Sequence, residues 1–545
     1  MAQQEKSNHE KLKDNNRQYD YKTHNVLHHW HNFKIRLVVE SLIVGIVTGF
    51  IVVLYRILLD YVGYLATKWV QLQKQNNILI LIGFIMLIGI AKIIQILIDK
   101  EPLIKGSGIP QVEGYLLRQI DMPWWKILTM KFIGGILSIG AGLSLGREGP
   151  SIQLGSAIGK GINKLFSRKK IEEKFLVTGG ASAGLAAAFN APLAGVMFSL
   201  EELHKNFSPM VLITALIASI SGDFVSKQFF GIKPVFDFSG LIDLPMKYYH
   251  YVLVLGIISG CLGAIYNIIL IKTQNWYNGN QIILKKYKIY TPFLLAGILS
   301  FVLPEVLRGG HSLIGKLIKS NYSIKFLIVL LIIKFAFTMF SYGSGSPGGI
   351  FLPLLVLGGI TGTIYGEILV QYIGLPQEYV QNMIIIAMAA YFTAIVRAPI
   401  TGCILISEMT GSFHHFLAIA IACIASYVVA DLMKVDPIYE LLLEKLTAKK
   451  ESLFKSNSKV KVLIETTVRL GSTMDGKEIR QVSWPCNSLV VSIQRGKNEI
   501  IPNGKTKLLA GDNLILLANE DNAMKARNIL SELSEDCQKI ALNEW

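Results

Sequence analysis

The sequence predicts an all-α polytopic membrane protein of inverted repeats with tilted and broken helices, plus a small α+β cytosolic C-terminal domain. Composition is the first reason. Of 545 residues 51% are hydrophobic and 17% charged, with mean hydropathy +0.44, whereas soluble domains carry about 25% charged residues. The second reason is a succession of apolar runs of uneven length, several shorter than the roughly 20 residues that cross a bilayer core. The third is a change after about Glu440 to short β-rich runs separated by turn signals.

Residues 1–33 form a polar cytosolic tail that reads as solvated. Five of the ten histidines lie in it, but their spacing is irregular and no metal site is assigned. No early apolar core marks a cleavable signal peptide. A transmembrane domain is expected over 34–440. Lys34–Leu59 and Asn77–Ile98 are long enough to span; Trp124–Leu145, Ser151–Leu165, Phe175–Phe189, Pro192–Leu200 and Pro209–Phe229 are punctuated by Gly, Pro and Asn. Interrupted segments of this kind line substrate sites in transporters. The net charge of +16 sits largely beside apolar runs, as in the basic stretch 160–174. That is the pattern of cytoplasmic loops and not of a nucleic-acid surface.

The second half repeats the theme. Tyr249–Ile271, Tyr290–Leu307 and Ile324–Ser341 are long, a Gly/Pro break follows, and then come Leu354–Val370, Val380–Ile395, Ile400–Ser407 and Leu417–Leu432. Beyond the breaks no residue-level repeat stands out. A charged linker is expected over 441–459, a soluble module over 460–535 and a tail over 536–545. Within the module, Val460–Val468, Ser488–Gln494 and Asn513–Ala518 read as strands and Asp521–Leu533 as a helix. The five cysteines lack metal-ligand or redox spacing.

Three breaks carry the chemistry. In Gly146-Arg147-Glu148-Gly149-Pro150 a carboxylate and a guanidinium stand beside glycines after an apolar run. An ionisable group in such a setting marks a functional site by default. Pro150 suits the first turn of a new helix, whose free N–H groups face the gap. In Gly106-Ser107-Gly108-Ile109-Pro110, Ser107 offers a hydroxyl and Pro110 opens a helix. The third break runs through Gly348, Gly349, Ile350, Phe351, Leu352 and Pro353, with helix-start amides at Ile350 and Phe351. Exposed amides attract anions without a formal cation, which leaves release feasible.

These motifs, with Asn190-Ala191-Pro192-Leu193-Ala194-Gly195 leading to Glu201-Glu202 and with Tyr439 in Asp436-Pro437-Ile438-Tyr439, resemble the CLC family of chloride channels and chloride/proton antiporters over roughly residues 35–440. The resemblance implies a homodimer of inverted halves with one anion pathway per subunit. It implies that Ser107 and Tyr439 donate hydroxyls to a central chloride, completed by the Ile350 and Phe351 amides. By the same resemblance Glu148 is the external gate and Glu202 the internal proton relay. Glu113 is placed in a polar network near Glu202, Arg147 at the break, and Arg397 and Glu408 in a structural pair or cap. Two departures from the family pattern, Leu352 and Gln111, remove no ligand.

The module resembles the RCK-C (TrkA-C) regulatory domain through Glu465, Leu470-Gly471-Ser472, Gly476-Lys477, Arg495, Ile501-Pro502 and Gly511-Asp512. That resemblance implies a dimerising sensor of a small cytosolic ligand such as cyclic di-AMP. The leading reading is an antiporter that exchanges chloride for protons, needs no cofactor and is not an enzyme. A passive gated chloride channel is the alternative, and Glu202 favours exchange. A potassium-transport subunit would need a filter motif, which is absent. A multi-pass protein of a bacterial inner membrane is expected, with both termini cytoplasmic.

Overall fold

The computed structural model describes residues 2–167, 170–205, 207–236, 238, 241–279, 287–319, 322–453, 461–485, 488–495, 498–519 and 523–535, with backbone alone for 2–34, 170–171, 448–453, 461 and 535. The chain divides into two compact units, Met1–Thr447 and Ala448–Trp545.

The first unit is helical. Among the described residues seven helices are long and apolar enough to cross a membrane: Ile35–Gln73, Asn77–Lys100, Pro209–Phe230, Met246–Asn278, Ile324–Gly343, Phe351–Ile373 and Gln377–Val396. Shorter pieces fill the gaps between them, among them Ile109–Leu116, Glu148–Leu165, Lys170–Phe189, Pro192–Phe198 and Pro399–Thr410. The first helix runs as Ala2–Gln73, so the polar tail continues into the first span. No Gly or Pro occurs before Gly45 to stop it. The tail's histidines lie outside the residues with described side chains.

Burial sorts the helices. Gln377–Val396 is buried along 94% of its apolar stretch and Asn77–Lys100 along 17%. The first is a core element, and the second presents its apolar surface outward, as a lipid-facing helix does. Close helix packing is achieved through glycine. A Cβ on Gly155 would lie 2.0 Å from the Gly180 carbonyl oxygen, and one on Gly184 would lie 2.2 Å from that of Ser151. Glu148–Leu165 and Lys170–Phe189 therefore touch backbone to backbone.

Beyond the breaks, the two halves correspond in backbone conformation and at a few residues. Ala191-Pro192-Leu193-Ala194-Gly195 and Ala398-Pro399-Ile400-Thr401-Gly402 each open a short helix. Both are preceded by a residue with positive φ, Asn190 at 53° and Arg397 at 68°. Each helix start is capped by a glutamate from the other half. Glu408 accepts from the Leu193 and Ala194 amides at 3.1 and 2.8 Å, and Glu201 accepts from Ile400 and Thr401 at 3.1 and 2.7 Å. Two fully buried lysines follow the same symmetry. Lys131 donates to the Ile104 and Gly106 carbonyls, and Lys334 donates to those of Val306 and Arg308.

The last helix of this unit, Ile438–Leu453, extends into the segment expected as a charged linker from 441. Residues 454–460 lie outside the described residues.

The second unit is a four-stranded antiparallel sheet in the order β1-β4-β2-β3, with β1 Lys461–Thr467, β2 Leu489–Arg495, β3 Asn498–Ile500 and β4 Asn513–Asn519. Leu463 pairs with Leu517 and Leu489 with Leu517, and a bulge at Val491 shifts the register of β2 against β4. The helix Ala523–Glu535 covers the face formed by Ile464, Leu514, Leu516 and Ile493, inserting Ala526 and Leu530. β3 is an edge strand of three residues, too short and polar for its alternation to be read.

Candidate anion and proton site

The three breaks meet in the middle of the first unit. Gly146 and Gly349 exchange a pair of backbone hydrogen bonds, each N–H donating to the other's carbonyl at 2.7 Å. The Gly348 N–H donates to the Gly106 carbonyl at 2.9 Å. That carbonyl also accepts from Lys131 Nζ at 2.7 Å. Backbone without helix or sheet inside a membrane unit must find such partners. The bonds bring the starts of the Ile109, Glu148 and Phe351 helices to one place.

Glu148 is the first residue of its helix and is fully buried. Its carboxylate folds back over Gly146, where a Cβ would meet Glu148 Oε2 at 2.3 Å and the Leu352 amide nitrogen at 3.1 Å. Neither carboxylate oxygen has a side-chain partner. The negative group thus rests among the first N–H groups of two helices, which have no intrahelical acceptor.

Ser107 lies directly against Gly149, whose Cβ would fall 2.8 Å from that of Ser107. Its Oγ accepts from the Ile109 amide at 3.2 Å. Gly108 takes φ 95° and a Cβ there would strike Gln153 Oε1 at 2.3 Å, so this turn requires glycine. Pro110 falls in the first turn of Ile109–Leu116. Gln111 is spent on the loop, donating to the Lys105 carbonyl at 2.8 Å.

Ile350 caps the Phe351–Ile373 helix, and Phe351 is its first residue. The Phe351 ring packs on Phe392 at 4.8 Å, on Phe189 at 5.3 Å and on Phe198 at 6.2 Å. Phe198 meets Tyr439 edge-on at 6.5 Å. Tyr439 is fully buried, and its hydroxyl has no hydrogen-bond partner among the described residues. Ser107, Glu148, Ile350, Phe351 and Tyr439 therefore surround one core. Leu352 fits because Gly309 faces it; a Cβ on Gly309 would lie 2.6 Å from Leu352 Cδ2.

Glu202 sits apart, in the π-helical turn Ser199–Leu203. It is 4% exposed, and its Oε1 has no hydrogen-bond partner among the described residues. His204 and Lys205 do not bond it. His204 Nε2 meets Thr178 Oγ1 at 2.8 Å, and Lys205 pairs with Glu113 at 3.1 Å and with Glu440. Glu113 thus has a partner that its sequence context did not suggest.

On another side of the Gly146 break a cavity of about 1330 Å³ is lined by Arg56, Asp60, Arg147, Arg308, His311 and Lys316, among others. Arg147 reaches Asp60 at 3.8 Å. Sequence reasoning passed over Arg56, Lys131 and Lys334. Each is a lone basic residue inside an apolar run, which is a readable signal. It also passed over Tyr342, whose hydroxyl packs on Gly106 and Ser107. Among the described residues no group of His, Cys, Asp and Glu could hold a metal ion.

Comparison with known proteins finds relatives for both units. Residues 89–431 match the family model described as voltage gated chloride channel, and residues 463–531 match the TrkA-C domain. A Citrobacter koseri protein named H(+)/Cl(-) exchange transporter ClcA is 34% identical over 445 residues, covering 79% of this chain and 93% of that protein. The protein of the same name from Salmonella paratyphi B is 33% identical over 430 residues, covering 77% and 90%. Among solved structures, a slow cyanobacterial Cl-/H+ antiporter superposes with TM-score 0.73 at 29% identity, over 76% of this chain and 99% of that one. A eukaryotic CLC transporter gives 0.64 at 21% identity over 76% and 74%, a likeness of fold.

Proposed function

Because the chain belongs to the CLC family of voltage-gated chloride channel proteins, we propose that it exchanges chloride for protons across a membrane, with Glu148 as external gate and Glu202 as internal proton relay. One observation carries the reading: the buried Glu148 carboxylate occupies a place among helix-start amides where a small anion would fit. The names of the relatives, and the near-complete coverage of those proteins, support exchange.

The ionised carboxylate stands in for the anion and blocks the path. An arriving chloride repels it, and a proton neutralises it. The neutral side chain leaves, and chloride enters between the Ser107 and Tyr439 hydroxyls and the Ile350 and Phe351 amides. Deprotonation returns the carboxylate and expels the anion. Glu202, off this line and without a bonded counterion, supplies the second proton stop. No cofactor takes part, since the ion gradients supply the driving force. The subunit works in a homodimer with both termini cytoplasmic, and the C-terminal module takes a small ligand, for which cyclic di-AMP is the first to test.

The test is proton uptake into liposomes driven by a chloride gradient. The native protein is expected to move protons uphill. Glu148→Ala and Glu202→Gln are expected to abolish proton movement while chloride flux persists. A current that reverses at the chloride equilibrium potential under every pH gradient would establish the channel alternative instead. Proton coupling that survives Glu202→Gln would remove that residue from the relay.

A further inference from the structure

Lys205 joins three elements that each carry a residue of the proposed site. Its ammonium pairs with Glu113 at 3.1 Å and with Glu440. Glu113 lies on Ile109–Leu116, whose preceding loop holds Ser107. Glu440 lies on Ile438–Leu453, next to Tyr439. Lys205 itself follows the π-helical turn that carries Glu202, and it adopts φ 50°, a left-handed conformation that a lysine rarely takes. Strain of this kind persists only where surrounding contacts hold it.

The charges around this point are unequal in their commitments. Glu113 and Glu202 are both buried, and the elements that carry them, Ile109–Leu116 and Ser199–Leu203, pack against each other. Glu201 is occupied by the Ile400 and Thr401 amides and the Thr401 hydroxyl. His204 is held by Thr178 of the Lys170–Phe189 helix and feels Lys174 on the same helix. Glu440 is 41% exposed and Lys205 43% exposed, so that end of the cluster is wet, whereas the Glu113 side chain is 3% exposed. Two neighbouring buried carboxylates do not both ionise freely, and one of them takes the proton. The direct ion pair with Lys205 favours charge on Glu113, while Glu202 Oε1 has no hydrogen-bond partner to hold its charge.

We propose that Lys205 is a positioning residue of the proton pathway: by pairing with Glu113 it assigns the shared proton to Glu202, the carboxylate placed to pass it on. The inference rests on the exchanger reading and adds the group that decides between the two acids. Without the lysine the proton is stranded on Glu113, and Glu202 stays charged when it should be loaded. Nothing in this step alters the anion site, so chloride movement continues.

The test uses the full chain in liposomes, measuring proton and chloride flux together. Lys205→Met is expected to lower the proton-to-chloride ratio about tenfold, the effect of one unit of proton affinity moved between the two acids. Lys205→Arg, which keeps the charge, is expected to retain coupling. The double variant Glu113→Gln with Lys205→Met removes the competing acid along with its counterion, and is expected to regain most of the coupling. Native coupling in Lys205→Met overturns the proposal. So does a double variant as uncoupled as Lys205→Met, because the lysine would then act only on structure. If the native protein itself moves no protons, the exchanger reading fails first, which separates the two failures.

Discussion

A methyl group on Gly146 would lie 2.3 Å from Glu148 Oε2. The carboxylate is the end of a flexible side chain and can yield, whereas the Leu352 amide nitrogen at 3.1 Å is backbone and cannot move far. Gly146→Ala is therefore expected to fold but to hold the carboxylate out of its place. Chloride flux should then lose most of its dependence on external pH, as if the gate were already protonated. Flux measured between pH 4 and 7 checks this; a pH profile identical to that of the native protein would contradict it. Much at this scale was legible in the sequence, since a carboxylate between glycines after an apolar run has few explanations. What escaped were the partners. Nothing near Glu113 in the chain indicates Lys205, and Glu201 caps a helix start 199 residues away and Glu408 one 215 residues away. Lys131 and Lys334 were legible as lone cations in apolar runs, but not as mates, because their acceptors are carbonyls of distant loops.

Among the elements, Glu148–Leu165 and Lys170–Phe189 form the tightest joint. Gly155 and Gly180 face each other so closely that a Cβ on either would lie 2.0 Å from the other's carbonyl oxygen. Backbone oxygen cannot rotate away, so Gly155→Ala must push the helices apart. The cost is expected at or above the upper end of the about 1–3 kcal/mol typical of overpacking. Gly89 has open space around it, and Gly89→Ala is the control. Thermal unfolding followed by size-exclusion chromatography should show a large loss for the first and none for the second. Helix existence was readable from apolar period and punctuation, because Gly, Pro and Asn mark breaks wherever they fall. The repeat was harder. Lys131 and Lys334 stand 203 residues apart, as do Gly146 and Gly349, while Pro192 and Pro399 stand 207 apart. Few side chains survive in common, so the symmetry lives mainly in backbone conformation.

At the scale of the whole molecule, the two units have separate cores, and the second carries its own acid-sensitive pair. In the second unit Asp512 is fully buried and bound in a fork by Arg495, with Nε and Nη2 each 2.8 Å from a carboxylate oxygen. Burial opposes the charge, but the guanidinium and the Leu509 amide outweigh it and hold the carboxyl below its usual range. A carboxylate with a lowered folded value adds stability above its unfolded value of about 3.9 and loses it as pH falls through the folded one. The strands β2 and β4, joined by this pair, should therefore begin to lose protection, relative to the intrinsic exchange rate at each pH, only below about pH 4. Asp512→Asn should raise that exchange at neutral pH, with a loss of about 2 kcal/mol for the charged hydrogen bonds. Hydrogen exchange on the full chain reads both, and unchanged protection in the variant would deny the pair its role. The division into a membrane unit and a sheet module was plain in the sequence, because hydropathy and turn signals change together near Glu440.

The hydrogen-bonded pair between Gly146 and Gly349 also bears on how the protein is made. The chain leaves the ribosome in order, and 203 residues separate the two glycines (146 to 349). At about 5–20 residues per second, the first break waits some 10–40 s for its backbone partner. During that interval a polar bend and a buried acid have no protein to cover them. The bend is therefore closed by its mirror half, and only after that half has been made.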